Sequence, residues 1–238
     1  MSEEFNVNLN YFDSVDSTNR VLKDMCDKGA PNGTVAVAWS QSGGRGRLGR
    51  SFASPRGGIY LSILLPMDES LSITAKAAVA VRRAISYCTD RECDIKWVND
   101  LYYRGKKVCG ILAEAYKGHV VLGIGINFCT PQKAFPPELQ DVAISLYPGP
   151  DKTDSDPMDV VNEVVKNLIS LSLGEDDSWL IEYQNHSMLT GKTVDVIQAG
   201  KVTSRGVVSK IDNNCALHII EKDGQELILS TGEVSIRI

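Results

Sequence analysis

Between the apolar runs Thr34–Trp39 and Ile59–Leu65 the chain passes through Gly44-Arg45-Gly46-Arg47-Leu48-Gly49-Arg50 and then through Ser51-Phe52-Ala53-Ser54-Pro55-Arg56-Gly57-Gly58, and in the second of these no helix can start. The segment therefore reads as strand, long cationic loop, strand. Gly44, Gly46 and Gly49 match the dinucleotide pattern G-x-G-x-x-G, and Asp68 and Glu69 follow near the spacing of a ribose-binding acid. That pattern works only where a helix opens at the glycines and offers its N-terminus to a pyrophosphate. A Walker A loop is excluded too, since no Gly-Lys-[Ser/Thr] follows. Glycine allows close backbone approach to a ligand, and arginine offers a planar charged fork suited to carboxylate and phosphate. In extended backbone alternate side chains share a face. Arg45 and Arg47 can thus reach one anion together, with Leu48 turned elsewhere.

The 238 residues are 43% hydrophobic, enough for one good core and a small second unit. A formal charge of −5 argues against nucleic-acid binding, whose mark is a basic surface. No run approaches a membrane span, and Met1-Ser2-Glu3-Glu4-Phe5 lacks the pattern of a signal peptide. Cys26, Cys88, Cys93, Cys109, Cys129 and Cys215 are scattered without a C-x-x-C pair, as expected of reduced thiols in a cytoplasmic protein. His119, His186 and His218 are isolated, so neither a zinc site nor a Ser/His or Cys/His pair is indicated, and no metal ligands are assigned.

Tyr11-Phe12 with Val15 suggests a first strand. Ser17-Thr18-Asn19 then offers cap chemistry to a helix carrying Val21, Leu22, Met25 and Cys26, stopped by Gly29 and Pro31. Leu71, Ala75, Ala78, Val81, Ile85 and Cys88 recur at helical spacing. Strands are expected at Ile95–Val98, Val108–Ala113 and Val120–Ile126, the last two joined by a turn at Lys117-Gly118. After a Pro-rich stretch, Val161, Val164, Val165 and Leu168 mark a helix, and a further one is expected from Trp179 to Leu189.

From Gly191 short strands take over: Thr193–Gln198, Thr203–Ile211, Ala216–Ile220, Glu226–Leu229 and Val234–Ile238, a small all-β module of the barrel kind. The expected architecture is α+β, a mixed-sheet domain over residues 1–190 followed by a small β-barrel over 191–238. Lys192, Lys201, Arg205, Lys210, Lys222 and Arg237 lie dispersed among acids, without the basic stripe of a nucleic-acid binder.

Three further stretches end apolar strands with polar groups, where scaffolded sites commonly sit. They are Lys96-Trp97-Val98-Asn99-Asp100-Leu101, Lys106-Lys107-Val108-Cys109-Gly110-Ile111-Leu112 and Gly123-Ile124-Gly125-Ile126-Asn127-Phe128. With the arginine loop, the chain resembles the biotin protein ligases (biotin–[acetyl-CoA-carboxylase] ligases). Their signature runs G-R-G-R-x-G-R, K-W-P-N-D, K-x-x-G-I-L and G-I-G-I-N. All four occur here in that order, and the resemblance extends from Asp16-Ser17-Thr18-Asn19 to Gly232-Glu233-Val234. Two departures are Val98, where the family usually has proline, and Cys215, in a turn where it often has glycine.

The resemblance implies a catalytic domain of the biotin/lipoate ligase type with an SH3-like C-terminal barrel. It also implies an enzyme that uses ATP with Mg²⁺ to convert biotin into biotinyl-5′-AMP. That enzyme then transfers biotin to a lysine of a biotin carboxyl carrier protein or domain. Lys107, aligned with the family lysine through Gly110, would bridge the biotin carboxylate and the α-phosphate; Lys106 is the competitor. Arg45 and Arg47 would hold both anions and exclude water. Ser17, Thr18, Asn19, Gln41, Gly46 and Gly110 are the further expected biotin contacts. Phe52, Lys96, Asn99 and Asn127 complete the ATP contacts, and Asp100 would orient the incoming amine. Loop 41–56 is expected to order over the ligand, and the C-terminal module to close over nucleotide or carrier. Too few residues precede the first strand for the helix-turn-helix repressor domain of many bacterial members, so a bifunctional repressor is not expected. Lipoate or octanoate attachment and a non-catalytic biotin-binding regulator are the alternatives; a homodimer stays open.

Overall fold

The structure is a computed structural model that describes residues 6–67, 72–174, 178–230 and 235–237. The sequence readings at residues 1–5, Asp68, Glu69, Leu71, Gly232-Glu233-Val234 and Ile238 lie outside the described residues. The elements are β1 (Asn8–Phe12), α1 (Thr18–Cys26), β2 (Thr34–Ala38), β3 (Ile59–Pro66), α2 (Ser72–Thr89), β4 (Asp94–Lys96) and β5 (Asp100–Tyr103). They continue with β6 (Lys106–Tyr116), β7 (His119–Ile126), α3 (Pro157–Leu173) and α4 (Ser178–Asn185). A second group is β8 (Thr193–Gln198), β9 (Lys201–Ile211), β10 (Leu217–Glu221), β11 (Glu226–Leu229) and β12 (Ser235–Arg237).

β1 to β7 form one mixed sheet in the order β1-β2-β3-β7-β6-β5-β4. β1 and β2 are parallel, joined by α1 as a crossover, and every other neighbour pair is antiparallel. The two-residue period of a strand divides the side chains between two layers. Val35, Val37, Ile59, Leu61 and Ile63 enter the large core with the buried residues of α2 and α3. Ala36, Leu64 and Val121 point the other way, onto Leu22 of α1. Complete burial of Leu22 contributes about 2 kcal/mol. The first turn of α1 is instead fixed by polar contacts, and the site forms around that turn.

β8 to β12 form a five-stranded antiparallel sheet in the order β11-β10-β9-β8-β12. The turns read from sequence are present: Lys117-Gly118 and Ala199-Gly200 each place two consecutive residues at positive φ, as tight hairpins require. Several boundaries differ. β1 starts at Asn8 and Val15 lies outside it, bridging Gln41. β4 ends at Lys96 rather than Val98, because Trp97-Val98-Asn99 turns the chain into β5; the Trp97–Val98 peptide is cis. β5 escaped the sequence reading, since four residues opening on an acid carry little period-2 signal. α4 ends at Asn185, four residues short of Leu189. There the chain leaves the helix to cover the sheet edge, with Ile95 N–H donating to the His186 carbonyl and Met188 N–H to the Ile95 carbonyl.

The turn between β9 and β10 meets the chain at the end of β4. Cys215 sits there at φ 61°, which accounts for the glycine the resemblance leads one to expect. Its carbonyl accepts from Trp97 Nε1 at 2.8 Å. Asp212 shapes the turn by accepting from the backbone N–H groups of Asn214 and Ala216. His218, isolated in sequence, is not isolated in space: Nε2 lies 3.1 Å from Asp212 Oδ2 and Nδ1 lies 2.9 Å from Glu226 Oε1. The hydrogen bonds to these carboxylates raise its pKa above 6.5, with Lys210 opposing. A raised pKa means that the native state holds the proton more tightly than the unfolded chain. The resulting stabilisation is complete below the unfolded value and disappears as pH rises through the folded one. The thermal-stability difference between wild type and His218→Gln is therefore expected to shrink as pH climbs from about 6 to 8. Calorimetry across that range would refute this with a constant or widening difference.

Candidate active site

A cavity of about 320 Å³ lies on the α1 face of the large sheet, under the arginine loop. Every residue singled out from sequence lines it except Asn127. Asn127 is buried beside it: its N–H donates to the Val108 carbonyl, and its Nδ2 lies 3.5 Å from the Lys107 carbonyl. Asn127 thus sits behind the cavity wall, beside the Lys107 backbone.

The loop is a folded hairpin. Gln41 N–H donates to the Ser54 carbonyl, Phe52 N–H to Gly44, and Gly46 N–H to Arg50, with Arg45 bridged to Ser51. Its base is tied to the start of α1 by Ser42 N–H to Val15 and Gly43 N–H to Asp16. Gly44 is required there, since a Cβ would lie 2.4 Å from both the Phe52 carbonyl and Ser54 Oγ. Leu48, expected to turn away, sits at the cavity rim at φ 56° and is 57% exposed.

The hairpin lays Phe52 back onto the sheet. Gly110 of β6 and Gly125 of β7 face each other in register and form the flat floor under its ring. A Cβ at either position would meet that ring at 2.8 Å or less. Gly123, two residues along, leaves room for Asn19, whose Oδ1 would lie 2.2 Å from an added Cβ. These glycines of two separate motifs thus have a single function, to let a ring and an amide lie against strand backbone.

Lys107 and Gly110 should face opposite sides of a regular strand, being an odd number of residues apart. The register of β5 against β6 shifts between Leu101 and Tyr102, so that Val108 is an extra residue. This bulge puts the Lys107 side chain on the Gly110 side, with Nζ 3.2 Å from where a Gly110 Cβ would be, while Val108 and Cys109 are both buried. Lys107 Nζ pairs with Asp100 Oδ1 at 2.7 Å and stands 5.7 Å from the Phe52 ring centre. Lys106 leaves the cavity and donates to the Gln140 carbonyl at 3.3 Å.

Five cations line the cavity with Asp100 as its one carboxylate: Arg47, Arg50, Lys96 and Lys107 are grouped about Asp100, while the charge of Arg45 acts on Glu114. Arg47 donates to Asn99 Oδ1 at 2.5 Å, and Asn99 Nδ2 in turn donates to the Ile111 carbonyl at 2.7 Å. Burial lowers the pKa of Arg47; Asp100 opposes this and Arg50 adds to it. Burial likewise lowers that of Lys96, with Asp100 opposing and Lys107 adding. Cations crowded together in a partly dry wall are relieved by an incoming anion, so the arrangement favours phosphate or carboxylate. Tyr102, missed from sequence, receives Lys96 Nζ near its ring, and burial pushes its phenol up to about 12.

The opposite end of the cavity is polar and neutral. Ser17 occupies the N-cap of α1 without a side-chain cap bond, and the hydroxyl and amide of Thr18 and Asn19 turn inward instead. Gln41 Oε1 accepts from Thr18 N–H at 2.8 Å, and Gln41 Nε2 donates to Ser54 Oγ at 2.9 Å. Ser62 and Glu114 join this group from β3 and β6; neither was read from sequence, although a lone serine inside Ile59–Leu65 was a signal.

Among the described residues no three His, Cys, Asp or Glu side chains gather around a common point, and no helix is long and apolar enough to cross a membrane.

Residues 11–128 match the biotin/lipoate A/B protein ligase family. The bifunctional ligase/repressor BirA of Bacillus subtilis is 37% identical over 155 residues, covering 61% of this chain and 48% of that protein. The chain thus spans about half the length of that relative. The biotin–[acetyl-CoA-carboxylase] ligase of Mycobacterium tuberculosis is 28% identical over 235 residues, covering 92% of this chain and 85% of that one. The biotin protein ligase of Aquifex aeolicus, solved in complex with biotin and ATP, superposes with a TM-score of 0.84 at 30% identity, covering 97% of this chain and 98% of that one. With both chains matched almost end to end and the four motifs gathered at one cavity, this chain belongs to the biotin protein ligases of the biotin/lipoate A/B protein ligase family.

Proposed function

We propose that this cavity activates biotin with ATP and that the protein passes the biotinyl group to a lysine of a biotin carboxyl carrier protein or domain. A carboxylate oxygen of biotin attacks the α-phosphorus of ATP, a P–O bond breaks, and pyrophosphate leaves. The lysine amine then attacks the mixed-anhydride carbonyl, losing a proton as AMP departs. The observation that carries the reading is the make-up of the cavity, which is lined by five cations, four of them grouped about Asp100, and by a fixed set of neutral hydrogen-bonding groups. The cationic end suits the step in which two anions meet and charge grows on phosphate. The neutral end suits the ureido ring, which offers N–H and C=O but no charge.

In this reading Lys107 bridges the biotin carboxylate and the α-phosphate, while Arg45 and Arg47 hold both anions and exclude water from the anhydride. Lys96, Asn99 and Phe52 contact the nucleotide. Asp100, paired with Lys107 at 2.7 Å, would orient the incoming amine. The donor set of this wall is mostly cationic, so Mg²⁺ would enter on the phosphates, whose charge it helps neutralise. Residues 191–238 are a separate unit whose 212–215 turn seats Trp97 at the cavity edge. The protein works in the cytoplasm and engages no nucleic acid, its densest cationic cluster being committed to the cavity.

The Aquifex aeolicus relative bound to biotin and ATP supports this reading. Lipoate and octanoate share the carboxylate but lack the ureido ring. Acid-dependent exchange of labelled pyrophosphate into ATP separates the possibilities: biotin should drive it and the other two should not. Exchange driven by lipoate or octanoate, or by none of the three, would refute the proposal.

A further inference from the structure

One chain of polar groups runs from the surface of α1 to the neutral end of the cavity. Lys23 Nζ donates to Glu114 Oε1 at 2.8 Å, and Asn19 Nδ2 donates to Glu114 Oε2 at 2.7 Å. Ser62 Oγ lies 2.6 Å from Asn19 Oδ1 and 2.7 Å from Thr18 Oγ1. Thr18 Oγ1 lies 3.2 Å from Gln41 Oε1, which already accepts the Thr18 N–H. Ser62 is fully buried, and Thr18 and Asn19 nearly so, so no solvent can correct a mismatch here.

Counting protons fixes a direction. A carboxylate only accepts, so Glu114 must face the amide nitrogen of Asn19, leaving Asn19 Oδ1 toward Ser62. Ser62 has one proton, and Asn19 Oδ1 has none, so the serine proton goes there. Thr18 is then left to give its own proton to Ser62. Both Thr18 Oγ1 and Gln41 Oε1 keep lone pairs for the cavity. Were Asn19 reversed, each proton would point the other way. Ser62 would donate to Thr18 and Thr18 to Gln41, so that Gln41 Oε1, which already accepts the Thr18 N–H, would be filled and only one lone pair of Thr18 Oγ1 would remain for the cavity.

We propose that the Glu114 carboxylate is a positioning group which sets the proton direction of this chain, making the neutral wall an acceptor that selects a ligand carrying N–H donors. The inference rests on the reading of biotin as the ligand, whose ureido nitrogens are such donors. The charge state agrees: burial alone would raise the Glu114 pKa, but hydrogen bonds from Lys23 and Asn19 and the charges of Lys23 and Arg45 outweigh it and keep the group ionised. Neither Glu114 nor Lys23 lines the cavity, so their influence passes through Asn19, Ser62 and Thr18.

The test uses two isosteric changes whose effects should cancel. In Glu114→Gln, Lys23 can only donate and so takes the new amide oxygen, turning the new NH₂ toward Asn19. Asn19 must then reverse, and the chain reverses with it. Biotin affinity measured by titration calorimetry should fall about tenfold or more, with ATP affinity unchanged. Removing Lys23 as well frees the new amide to present its oxygen to Asn19. Lys23→Met/Glu114→Gln should therefore recover biotin binding to within about threefold of wild type, and Lys23→Met alone should stay near wild type. A loss of packing or stability would not be repaired by removing a second partner. Glu114→Gln binding as tightly as wild type, or equally weakly with and without Lys23, would overturn the positioning role. A wild-type protein that binds no biotin would overturn the reading of the cavity on which this inference depends.

Discussion

Lys107→Ala is expected to slow biotinyl-5′-AMP formation by about 10³-fold, whereas Lys106→Ala should change it by less than about twofold. The two lysines are adjacent in sequence, and only the bulge at Val108 separates their fates. It turns Lys107 onto the glycine floor beside Asp100 and sends Lys106 to the Gln140 carbonyl. Removing Lys107 takes a positive charge from the wall where charge would build on phosphate. It also leaves Asp100 without its partner at the point where two anions must approach. Single-turnover assays with labelled ATP give the rate directly. Equal losses in the two variants, or normal adenylation by Lys107→Ala, would remove Lys107 from the mechanism.

Arg45→Ala should have its largest effect after the first half-reaction. The hairpin over the cavity depends on the Arg45–Ser51 bridge and on few other backbone bonds. Its glycines make ordering entropically costly, and its arginines repel one another until an anion arrives. An anionic adenylate would therefore help to keep the hairpin shut. With Arg45 shortened, the intermediate should escape into solution about tenfold faster or more, while Lys107 still forms it. Biotin with ATP should also lower amide exchange across residues 41–56 in wild type. Exchange that is equal with and without ligand, together with unchanged adenylate release in the variant, would show the hairpin to be static.

The parts of this site that were legible in sequence are those carried by local pattern. The arginine-glycine loop, Lys96-Trp97-Val98-Asn99-Asp100, Lys107 with Gly110, and the Gly123–Gly125 run each announced a strand end bearing polar groups, and all reach one cavity. What was not legible depends on register and long range. Nothing local marks the bulge that orients Lys107. Glu114 lies 95 residues from Asn19, and Ser62 lies 43 away, so only the assembled sheet shows that they form one chain. Asn127 carried the right residue type at a strand end but turns beneath the Lys107 backbone. His218 gained two carboxylate neighbours only through the pairing of β9, β10 and β11.

In the proposed reaction one protein both activates biotin and attaches it. Purified chain, biotin, Mg-ATP and a biotin carboxyl carrier domain, followed by intact-mass and peptide mass spectrometry, test this directly. The carrier is expected to gain a single biotinyl group on one lysine, with AMP and pyrophosphate formed in equal amounts and no labelling when Lys107 is alanine. A carrier that stays unmodified while the protein binds biotin and ATP normally would contradict it.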